Sequence, residues 1–268
     1  MKRFFELFFN GMAVFGFDPR VTIRSFMDLP FYFRDYLALK KSARQCKKKG
    51  IFPFGRIWPC LGERSASAGN SKSAYFYQDL YVAQRIFINN PKHHMDVGSR
   101  IDGFVAHVAS FRKISILDIR PLTDDKLQNI DFTQCDLMGK IPINLIEATD
   151  SLSCLHALEH FGLGRYGDPI HYEGYLLGLK NLYSILQPGG KLYVSVPIGE
   201  QRIEFNGQRV FSVQYLFELF EPCYSIDSFS YIDDMNNFYK DVELDEKSIK
   251  INYGCSRGCG IFELTKQH

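Results

Sequence analysis

Residues 92–122, KHHMDVGSRIDGFVAHVASFRKISILDIRPL, are the stretch that decides the fold. The first part, residues 92–97, ends in a short apolar run that predicts a buried strand, and a tight turn follows at residues 98–103. Apolar residues then recur at helical spacing over residues 104–111, and residues 114–119 predict a second strand. The stretch therefore predicts a β-turn-α-β unit.

A nucleoside site is one function that such a unit can serve. Gly98 lies in the turn, and Asp118 stands near the carboxyl end of the second predicted strand. Backbone amides line a turn of this kind, and the acid can accept hydrogen bonds from ribose hydroxyls. The fuller glycine fingerprint is not met, because Arg100 and Asp102 stand where further glycines are expected. An ordinary βαβ unit without a ligand is the alternative.

The length and composition are those of a soluble globular protein. A chain of 268 residues suits one α/β domain plus a subdomain, and 46% hydrophobic and 23% charged residues are ordinary values. The net charge of +2 conceals an asymmetry, since residues 1–64 hold 13 Lys or Arg against 5 Asp or Glu. That segment therefore carries +8, which leaves −6 for the remainder of the chain.

Cysteine usage and hydropathy predict a cytoplasmic protein. The seven cysteines are scattered and odd in number, and several fall in predicted strands, which suits reduced thiols. No segment reaches the ~18 uninterrupted apolar residues of a membrane span. The first 17 residues imitate a signal peptide, but Glu6, Asn10 and the absence of a small-residue cleavage site argue against one. An amphipathic surface helix is the other interpretation.

The N-terminal part predicts a separate helical extension. Residues 1–50 are basic and helical in pattern, with breaks expected at Asp18-Pro19 and Leu29-Pro30. The basic cluster at residues 40–49 fits peripheral contact with an anionic membrane or a phosphorylated acceptor, a solvated helix face being the alternative. Residues 51–74 predict a loop, either a mobile lid or a plain linker. We therefore expect an extension at residues 1–70 and an α/β domain at residues 71–268.

The α/β domain is predicted to be doubly wound. Residues 75–89 predict an amphipathic helix whose start approaches the glycine turn. Further strands are predicted at residues 131–137, 149–155, 191–196, 225–233 and 249–264, helices at 172–186 and 212–220, and loops at 201–207 and 239–248. The alternation implies a mostly parallel seven-stranded sheet, with a hairpin of late strands at one edge.

Four motifs resemble class I S-adenosylmethionine-dependent methyltransferases, which have a Rossmann-like fold. They are HMDVGSRIDG, the acid in ILDIRPL, Asp136 after the third predicted strand, and LQPGGKLYVSVP around the fifth. Three segments, YFYQDLYVAQRI, HHMDVGSRIDGFVAHV and LHALEHFGLGRYGDP, resemble more closely the methyltransferase-like DUF268 family, which is seen among glycan-biosynthesis genes. The resemblance covers about residues 70–264.

The resemblance implies a cofactor site for S-adenosylmethionine. The residues implied are Asp96, Gly98 and Ser99 for the methionine part, Asp118 for the ribose hydroxyls, Asp136 and Leu137 for adenine, and Leu155 and His156 at the end of the fourth strand. Arg100 departs from the usual glycine-rich turn. It either reaches the cofactor carboxylate or crowds the turn and weakens binding.

Candidate catalytic residues lie in the loop after the fourth predicted strand. An oxygen nucleophile must lose its proton as the new bond forms, so a base assists methyl transfer. His160 and His156 are candidates for this base, together with Glu159. A divalent ion bridging Glu159 and acceptor hydroxyls is not favoured, because nothing else forms an oxygen cage. The alternative is that Glu159 and His160 only cap the loop.

The segment HALEH at residues 156–160 also matches a zinc-hydrolase spacing. On a helix, His156 and His160 would share one face, and Glu173 or His171 would supply a third ligand. The position directly after a predicted strand argues against this interpretation. The chain's second candidate, Cys255-Ser-Arg-Gly-Cys259, has no matching pair and does not predict a zinc knuckle.

We expect a methyltransferase that modifies an oxygen of a sugar or glycan-related acceptor, the sugar being implied by the resemblance alone. A non-catalytic Rossmann-like scaffold or binding protein in glycan assembly is the alternative from another class. Nucleic acid is disfavoured as a partner, because the chain is near neutral and its basic segment does not alternate with aromatic residues.

Overall fold

The structure is a computed structural model that describes residues 11–12, 15–45, 52–64, 73–123 and 127–267. Two compact units are divided after residue 70. Most of the first 17 residues, part of the basic cluster and the centre of the predicted lid lie outside the described residues, so those predictions remain predictions. None of the described helices is long and apolar enough to cross a membrane.

The described residues of the first unit include a long helix, α1, Pro19–Gln45. It begins at Pro19, where a break was predicted, and proline is favoured at the first helical position. The second predicted break is wrong, because Pro30 lies inside the helix. Proline lacks the amide proton for one helical hydrogen bond. The helix continues because the turns before and after Pro30 keep their own backbone hydrogen bonds.

The second unit alternates strands and helices. Its elements are α2 Ala74–Asn89, β1 His94–Val97, a π-helical turn Ile101–Val105, α3 Ala106–Ala109, β2 Ile114–Asp118, β3 Ile130–Gln134, β4 Thr149–Leu155, a 3-10 turn Leu158–His160, α4 Gly174–Ile185, β5 Leu186–Ile198, β6 Arg202–Glu204, β7 Gln208–Val210, α5 Val213–Phe220, β8 Tyr224–Ile232, β9 Phe238–Tyr239, α6 Glu246–Lys250 and β10 Gly258–Lys266. Short 3-10 turns also occur at Ile143–Leu145 and Asn252–Gly254.

The main sheet has the strand order β3-β2-β1-β4-β5-β10-β8-β9. Strands β1 to β5 are parallel, and β10 runs antiparallel between β5 and β8. The predicted doubly wound, mostly parallel sheet is therefore confirmed. The predicted number of seven strands is wrong, because the two-residue strand β9 adds an eighth strand at the edge of the sheet.

Three local predictions in the second half of the chain are also corrected. The predicted loop at residues 201–207 contains β6, which pairs with β7 as a separate hairpin. The charged loop at residues 239–248 ends in α6, because Asp245 caps this helix by accepting from two backbone amides. The late strands β8 and β10 pair antiparallel, as predicted, but β10 begins at Gly258 and not at residue 249, and the short β9 forms the edge of the sheet.

Apolar layers cover both faces of the sheet. Phe262 faces one cluster with Leu182 and Phe220, whereas its neighbour Ile261 faces the other cluster with Ile86. This alternation along β10 follows from the two-residue period of a strand. Strands β1 and β4 are also buried on both faces. Because β1 to β5 run parallel, their carboxyl ends lie at one edge of the sheet, where ligands bind in doubly wound folds.

Candidate functional site

The turn after β1 brings two segments of backbone close together. Gly98 has a φ of +78°, and its amide donates to the carbonyl of Leu117 at 3.0 Å. A Cβ atom added at Gly98 would lie 2.8 Å from the Cβ of Ala157. Only glycine meets both conditions without strain, so the turn packs tightly against the loop that follows β4.

Asp96 supports this turn from beneath. Its buried carboxylate accepts from the amide and hydroxyl of Ser99, at 3.1 and 3.0 Å, and from the hydroxyl of Ser153. Burial raises the pKa of Asp96 to about 6, although the serine hydrogen bonds oppose this change. The imidazole of His94 extends the network through a 3.2 Å contact with Ser153. Asp96 is fully buried, whereas Ser99 lines the cleft above it.

A cleft with two compartments opens at the carboxyl ends of the parallel strands. The first compartment is partly open to solvent and mostly apolar, and it is lined by Val97, Leu117, Ile119, Leu137, Met138 and Phe161. The second is polar and is lined by Tyr75, Gln78, Asp79, Ser99, Leu155 and Arg165. Residues common to both are Gly98, Arg120, His156, His160 and Tyr166. We call these the apolar and polar compartments.

Asp118 lies in the apolar compartment and is ion-paired with Arg120. Its Oδ1 accepts from Nε of Arg120 at 3.0 Å, and its Oδ2 accepts from Nη2 at 2.5 Å. The same Nη2 donates to the carbonyl of Gly98 at 3.2 Å, and the guanidinium carbon lies 4.7 Å from the ring centre of Tyr166. Sequence analysis missed Arg120 and Tyr166. The position of Arg120 two residues after the acid was the available signal.

Asp136 and Leu137 line the same compartment, beyond the end of β3. Leu137 is buried, and Oδ1 of Asp136 accepts from the amide of Met138 at 2.8 Å, which fixes the turn. The structure therefore brings Asp118, Asp136 and Leu137 together, as the resemblance implied. Leu155 lies in the polar compartment instead.

Arg100 does not fill the glycine turn. Its guanidinium pairs with Asp102 at 2.7 Å, and 77% of its side chain is exposed. Gly98, and not residue 100, makes the close backbone contacts of the turn. The side chain of Arg100 lies at the rim of the polar compartment. In this structure the side chain of Arg100 does not occupy the turn, and its contact with a cofactor carboxylate stays a prediction.

Glu159 lies between two histidines in the loop after β4. Its Oε1 is 2.8 Å from Nδ1 of His156 and 3.7 Å from Nε2 of His160. Nδ1 of His160 lies 2.7 Å from the carbonyl of Gly207, and since a carbonyl only accepts, this nitrogen carries the proton. In its neutral form His160 therefore keeps a lone pair on Nε2.

The two histidines have opposite pKa shifts. Burial lowers the pKa of His156, but the neighbouring Cys259 and the carboxylate of Glu159 outweigh burial and raise the pKa of His156 well above its usual value. Burial also lowers the pKa of His160, and here it outweighs the opposing effect of Glu159. The loop therefore holds one histidine that favours the charged form, beside Glu159, and one that favours the neutral form. Such divergent pairs are typical of acid-base sites.

Backbone strain and unpaired atoms also mark this loop. His156 has a φ of +48°, an uncommon value for a residue other than glycine. Within the part of the chain that the structure describes, Nε2 of His156 and Oε2 of Glu159 are buried without a hydrogen-bond partner. Because unpaired buried polar atoms are costly, both atoms are candidates for ligand contacts.

The loop does not have the geometry that the alternative zinc-hydrolase interpretation requires. Leu158–His160 is a single 3-10 turn that starts after His156, so the two histidines do not lie on one face of an α-helix. Among residues 11–12, 15–45, 52–64, 73–123 and 127–267, no three His, Cys, Asp or Glu side chains form a group able to hold a metal ion. Nδ1 of His171 instead accepts from the amide of Glu173 at 3.2 Å.

The start of α2 reaches the polar compartment, as the sequence predicted. Tyr75, Gln78 and Asp79 all line it, and Nε2 of Gln78 donates to Asp79 at 2.9 Å. Burial raises the pKa of Asp79. The ring of Tyr75 lies 5.1 Å from that of His156 in an edge-on contact, so the start of α2 contacts the loop after β4 at this cleft.

A buried arginine on β7 fixes the loop after β4. Arg209 donates through Nη1 to the carbonyl of Phe161 at 2.6 Å and through Nη2 to that of Tyr172 at 2.8 Å. Weaker bonds from the same guanidinium reach the carbonyls of Glu159 at 3.2 Å and His171 at 3.4 Å. The loop that carries Glu159 and His160 is therefore held by one side chain that sequence analysis did not identify.

A family model described as "Caenorhabditis protein of unknown function, DUF268" matches residues 107–253, which is more than half of the chain. The chain belongs to the DUF268 family. The matched part of this DUF268 chain includes Asp118, Asp136 and the loop with His156, Glu159 and His160. No curated protein matches it significantly.

Solved structures establish the fold of this DUF268 protein. The 1,6-didemethyltoxoflavin-N1-methyltransferase of Burkholderia thailandensis, solved with bound 1,6-didemethyltoxoflavin and S-adenosylhomocysteine, has a TM-score of 0.51 and 13% identity, over 74% of this chain and 80% of that one. The [4+2]-cyclase SpnF has a TM-score of 0.50 and 15% identity, over 74% and 85%. The DUF268 chain thus has the predicted Rossmann-like methyltransferase fold.

Proposed function

We propose that this DUF268 protein is an S-adenosylmethionine-dependent methyltransferase that acts on an oxygen of a sugar or glycan-related acceptor. The observation that carries the proposal is the pair of adjoining compartments in one cleft. The apolar compartment contains the buried carboxylate of Asp118 and shares Gly98, Arg120 and His156 with the polar compartment. This arrangement suits an adenine ring and a ribose in the first compartment and the reacting groups in the second.

The residues of the cleft fit this cofactor. Leu137 and Ile119 offer apolar surface to adenine, and Asp136 offers a carboxylate at the edge of that surface. Asp118 offers acceptors to the ribose hydroxyls once Arg120 has moved. Ser99 and Arg100 lie on the polar side, where the methionine part would bind. When bound, S-adenosylmethionine supplies an electrophilic methyl group, and the protein's task is to align and deprotonate the acceptor.

His160 is the residue best suited to deprotonate an acceptor hydroxyl. Its Nδ1 proton is held by the carbonyl of Gly207, so Nε2 is free to accept a proton. Glu159, 3.7 Å from that Nε2, stabilises the imidazolium that results. His156 fixes the orientation of Glu159 through the 2.8 Å contact with Oε1. We therefore assign base function to His160, electrostatic support to Glu159 and a positioning role to His156.

The polar compartment supports a hydroxyl-rich acceptor. Asp79 and Gln78 provide hydrogen-bonding groups, and Tyr75 and Tyr166 provide aromatic surface. Sugars present hydroxyl groups and apolar ring faces together, so this combination matches their chemistry.

Transfer of a labelled methyl group tests the proposal. The full chain is incubated with methyl-labelled S-adenosylmethionine and a set of sugars, nucleotide sugars and glycans, and label is followed in the acceptor. We expect transfer by the unmodified chain, and loss of at least about 100-fold in His160→Ala, the usual contribution of a general base. His107→Ala is the matched control, because this exposed histidine of α3 bonds the carbonyl of Gly103, four residues earlier in the chain.

A specific contact favours a second function, that of a non-catalytic binding protein. Arg120 already bonds both oxygens of Asp118, the carboxylate that a ribose would need. If the pair is permanent, the fold serves as a scaffold in glycan assembly and does not bind the cofactor. Absence of S-adenosylmethionine binding in the unmodified chain and in Arg120→Ala would favour this function.

A further inference from the structure

One face of α1 exposes a stripe of apolar side chains. Ile23, Phe26, Met27, Phe33 and Leu37 are each between 58 and 67% exposed. Their separations of three, four, ten and fourteen residues from Ile23 place them on one side of a helix. We call these five residues the α1 stripe. It extends for about 21 Å, at 1.5 Å per residue.

The opposite face of α1 packs within its own unit. Asp28 accepts from the amide of Gly62 at 2.8 Å, and Asp35 pairs with Arg64 at 2.7 Å. The ring of Tyr36 makes an edge-on contact with Phe54 at 6.1 Å. The segment 52–64 therefore contacts and partly covers the face with the acidic residues, and the α1 stripe lies on the other side of the helix.

The charges around the stripe have one sign. Lys41 and Arg44 are exposed and continue the stripe at four and seven residues beyond Leu37. The two acidic side chains within the helix, Asp28 and Asp35, are bonded on the covered face. The whole segment 1–64 carries +8. A surface that complements the stripe is therefore both apolar and negatively charged.

We infer that α1 docks in the plane of an anionic phospholipid surface, with the α1 stripe inserted among the acyl chains. Apolar side chains enter the acyl boundary, while lysine and arginine bind anionic headgroups. No described helix can span a bilayer, so the helix lies along the surface and does not cross it. Pairing with the stripe of a second copy would bring two segments of +8 together, which disfavours self-association. The inference does not depend on the proposed methyl transfer.

Vesicle flotation of the full chain tests this inference. The probes are vesicles of phosphatidylcholine alone and of phosphatidylcholine mixed with phosphatidylserine. We expect flotation with the mixed vesicles. Binding should be at least about 100-fold weaker after Phe26→Asp and Phe33→Asp together, because each substitution removes a large apolar side chain that the bound protein inserts into the bilayer. The matched control is Phe205→Asp with Met235→Asp, since both residues are about 80% exposed in the second unit.

The control variant should float like the unmodified chain, and circular dichroism should be unchanged in both variants because all four side chains are exposed. Equal flotation of the stripe and control variants would overturn the inference. Failure of the unmodified chain to float with the phosphatidylserine-containing vesicles would also overturn it. A dimer in light scattering that the stripe variant converts to a monomer would also overturn it, by making the stripe an interface between copies.

Discussion

The guanidinium of Arg120 donates to both carboxylate oxygens of Asp118, at 3.0 Å from Nε and 2.5 Å from Nη2. This pair lies where the apolar and polar compartments meet, and Tyr166 stacks on its cationic side. A ligand whose hydroxyls bind Asp118 must first displace Arg120. The free energy of breaking this ion pair therefore lowers the affinity of the cleft for such a ligand.

Replacing Arg120 should tighten cofactor binding. In Arg120→Ala the carboxylate of Asp118 is free, so a ligand no longer has to break a charged hydrogen bond worth about 1.5–3 kcal/mol. We expect the dissociation constant of S-adenosylhomocysteine to fall by about tenfold, measured by calorimetric titration. Arg257→Ala is the control, because Arg257 forms an exposed pair with Glu204 outside the cleft. Weaker binding by Arg120→Ala would mean that the arginine itself contacts the ligand.

The rate of methyl transfer should depend on pH through His160. Because burial lowers the pKa of His160, its neutral form persists below the usual titration range of histidine, and activity should fall only when the pH drops through that lowered value. The carboxylate of Glu159 raises this pKa, so Glu159→Gln should move the acidic limb of the profile to still lower pH.

The measurement is the pH dependence of kcat/KM for the unmodified chain and Glu159→Gln, which reports groups of the free enzyme. A limb that moves to higher pH in Glu159→Gln would contradict the assignment of the base. A limb above the usual histidine range in the unmodified chain would point instead to His156, whose pKa is raised.

Asp96 should make the chain less stable as the pH rises from about 4 to about 6. Its folded pKa of about 6 exceeds the ordinary value of 3.8, so the folded state binds the proton more tightly. Its contribution to stability is therefore complete below about pH 4 and is lost as the pH rises through about 6. The expected loss is about 3 kcal/mol, since each pKa unit corresponds to about 1.4 kcal/mol.

Urea unfolding at a series of pH values measures this effect. The variant Asp96→Asn cannot ionise, so its free energy of unfolding should lack this decline. The control Asp131→Asn replaces an acid on β3 that is more than half exposed, and it should keep the decline. Parallel curves for the unmodified chain and Asp96→Asn would refute the prediction.

Loss of Arg209 should release the loop after β4. Arg209→Met keeps much of the side-chain volume but leaves the carbonyls of Phe161 and Tyr172 without their donor, at about 1–3 kcal/mol for each buried group. We expect destabilisation by at least about 3 kcal/mol in urea unfolding. Arg202→Met is the control, because Arg202 lies in the neighbouring hairpin strand and its pair with Glu204 is partly exposed. Equal destabilisation by the two variants would show that Arg209 has no special structural role.

The sequence predicted the fold where a pattern was local and strongly periodic. Strand β4 has the predicted bounds. Asp118 at the end of β2 and Asp136 just beyond the end of β3 reach one cleft, because parallel strands end at the same edge of the sheet. The predictions failed where tertiary contacts decide. Pro30 stays inside α1, and the short β9 forms only because β8 is available as a partner. Neither event has a signal in the local pattern.

The residue types in the sequence predicted the loop of the candidate site, but they did not predict which distant residues contact that loop. The loop with His156, Glu159 and His160 was identified, but the carbonyl of Gly207 that fixes the proton on His160 is 47 residues away. Arg209 and Asp79 also reach the site from distant elements. Such contacts depend on how strands and loops pack, so they follow from the structure and not from spacing.

Calorimetric titration of the full chain with S-adenosylhomocysteine tests the central claim most directly, because cofactor binding at Asp118 underlies the proposed reaction. We predict saturable binding by the unmodified chain, binding at least about tenfold weaker in Asp118→Ala, and unchanged binding in the surface control Asp131→Ala. Absence of binding by the unmodified chain and by Arg120→Ala, or equal affinities for Asp118→Ala and the control, would contradict the account.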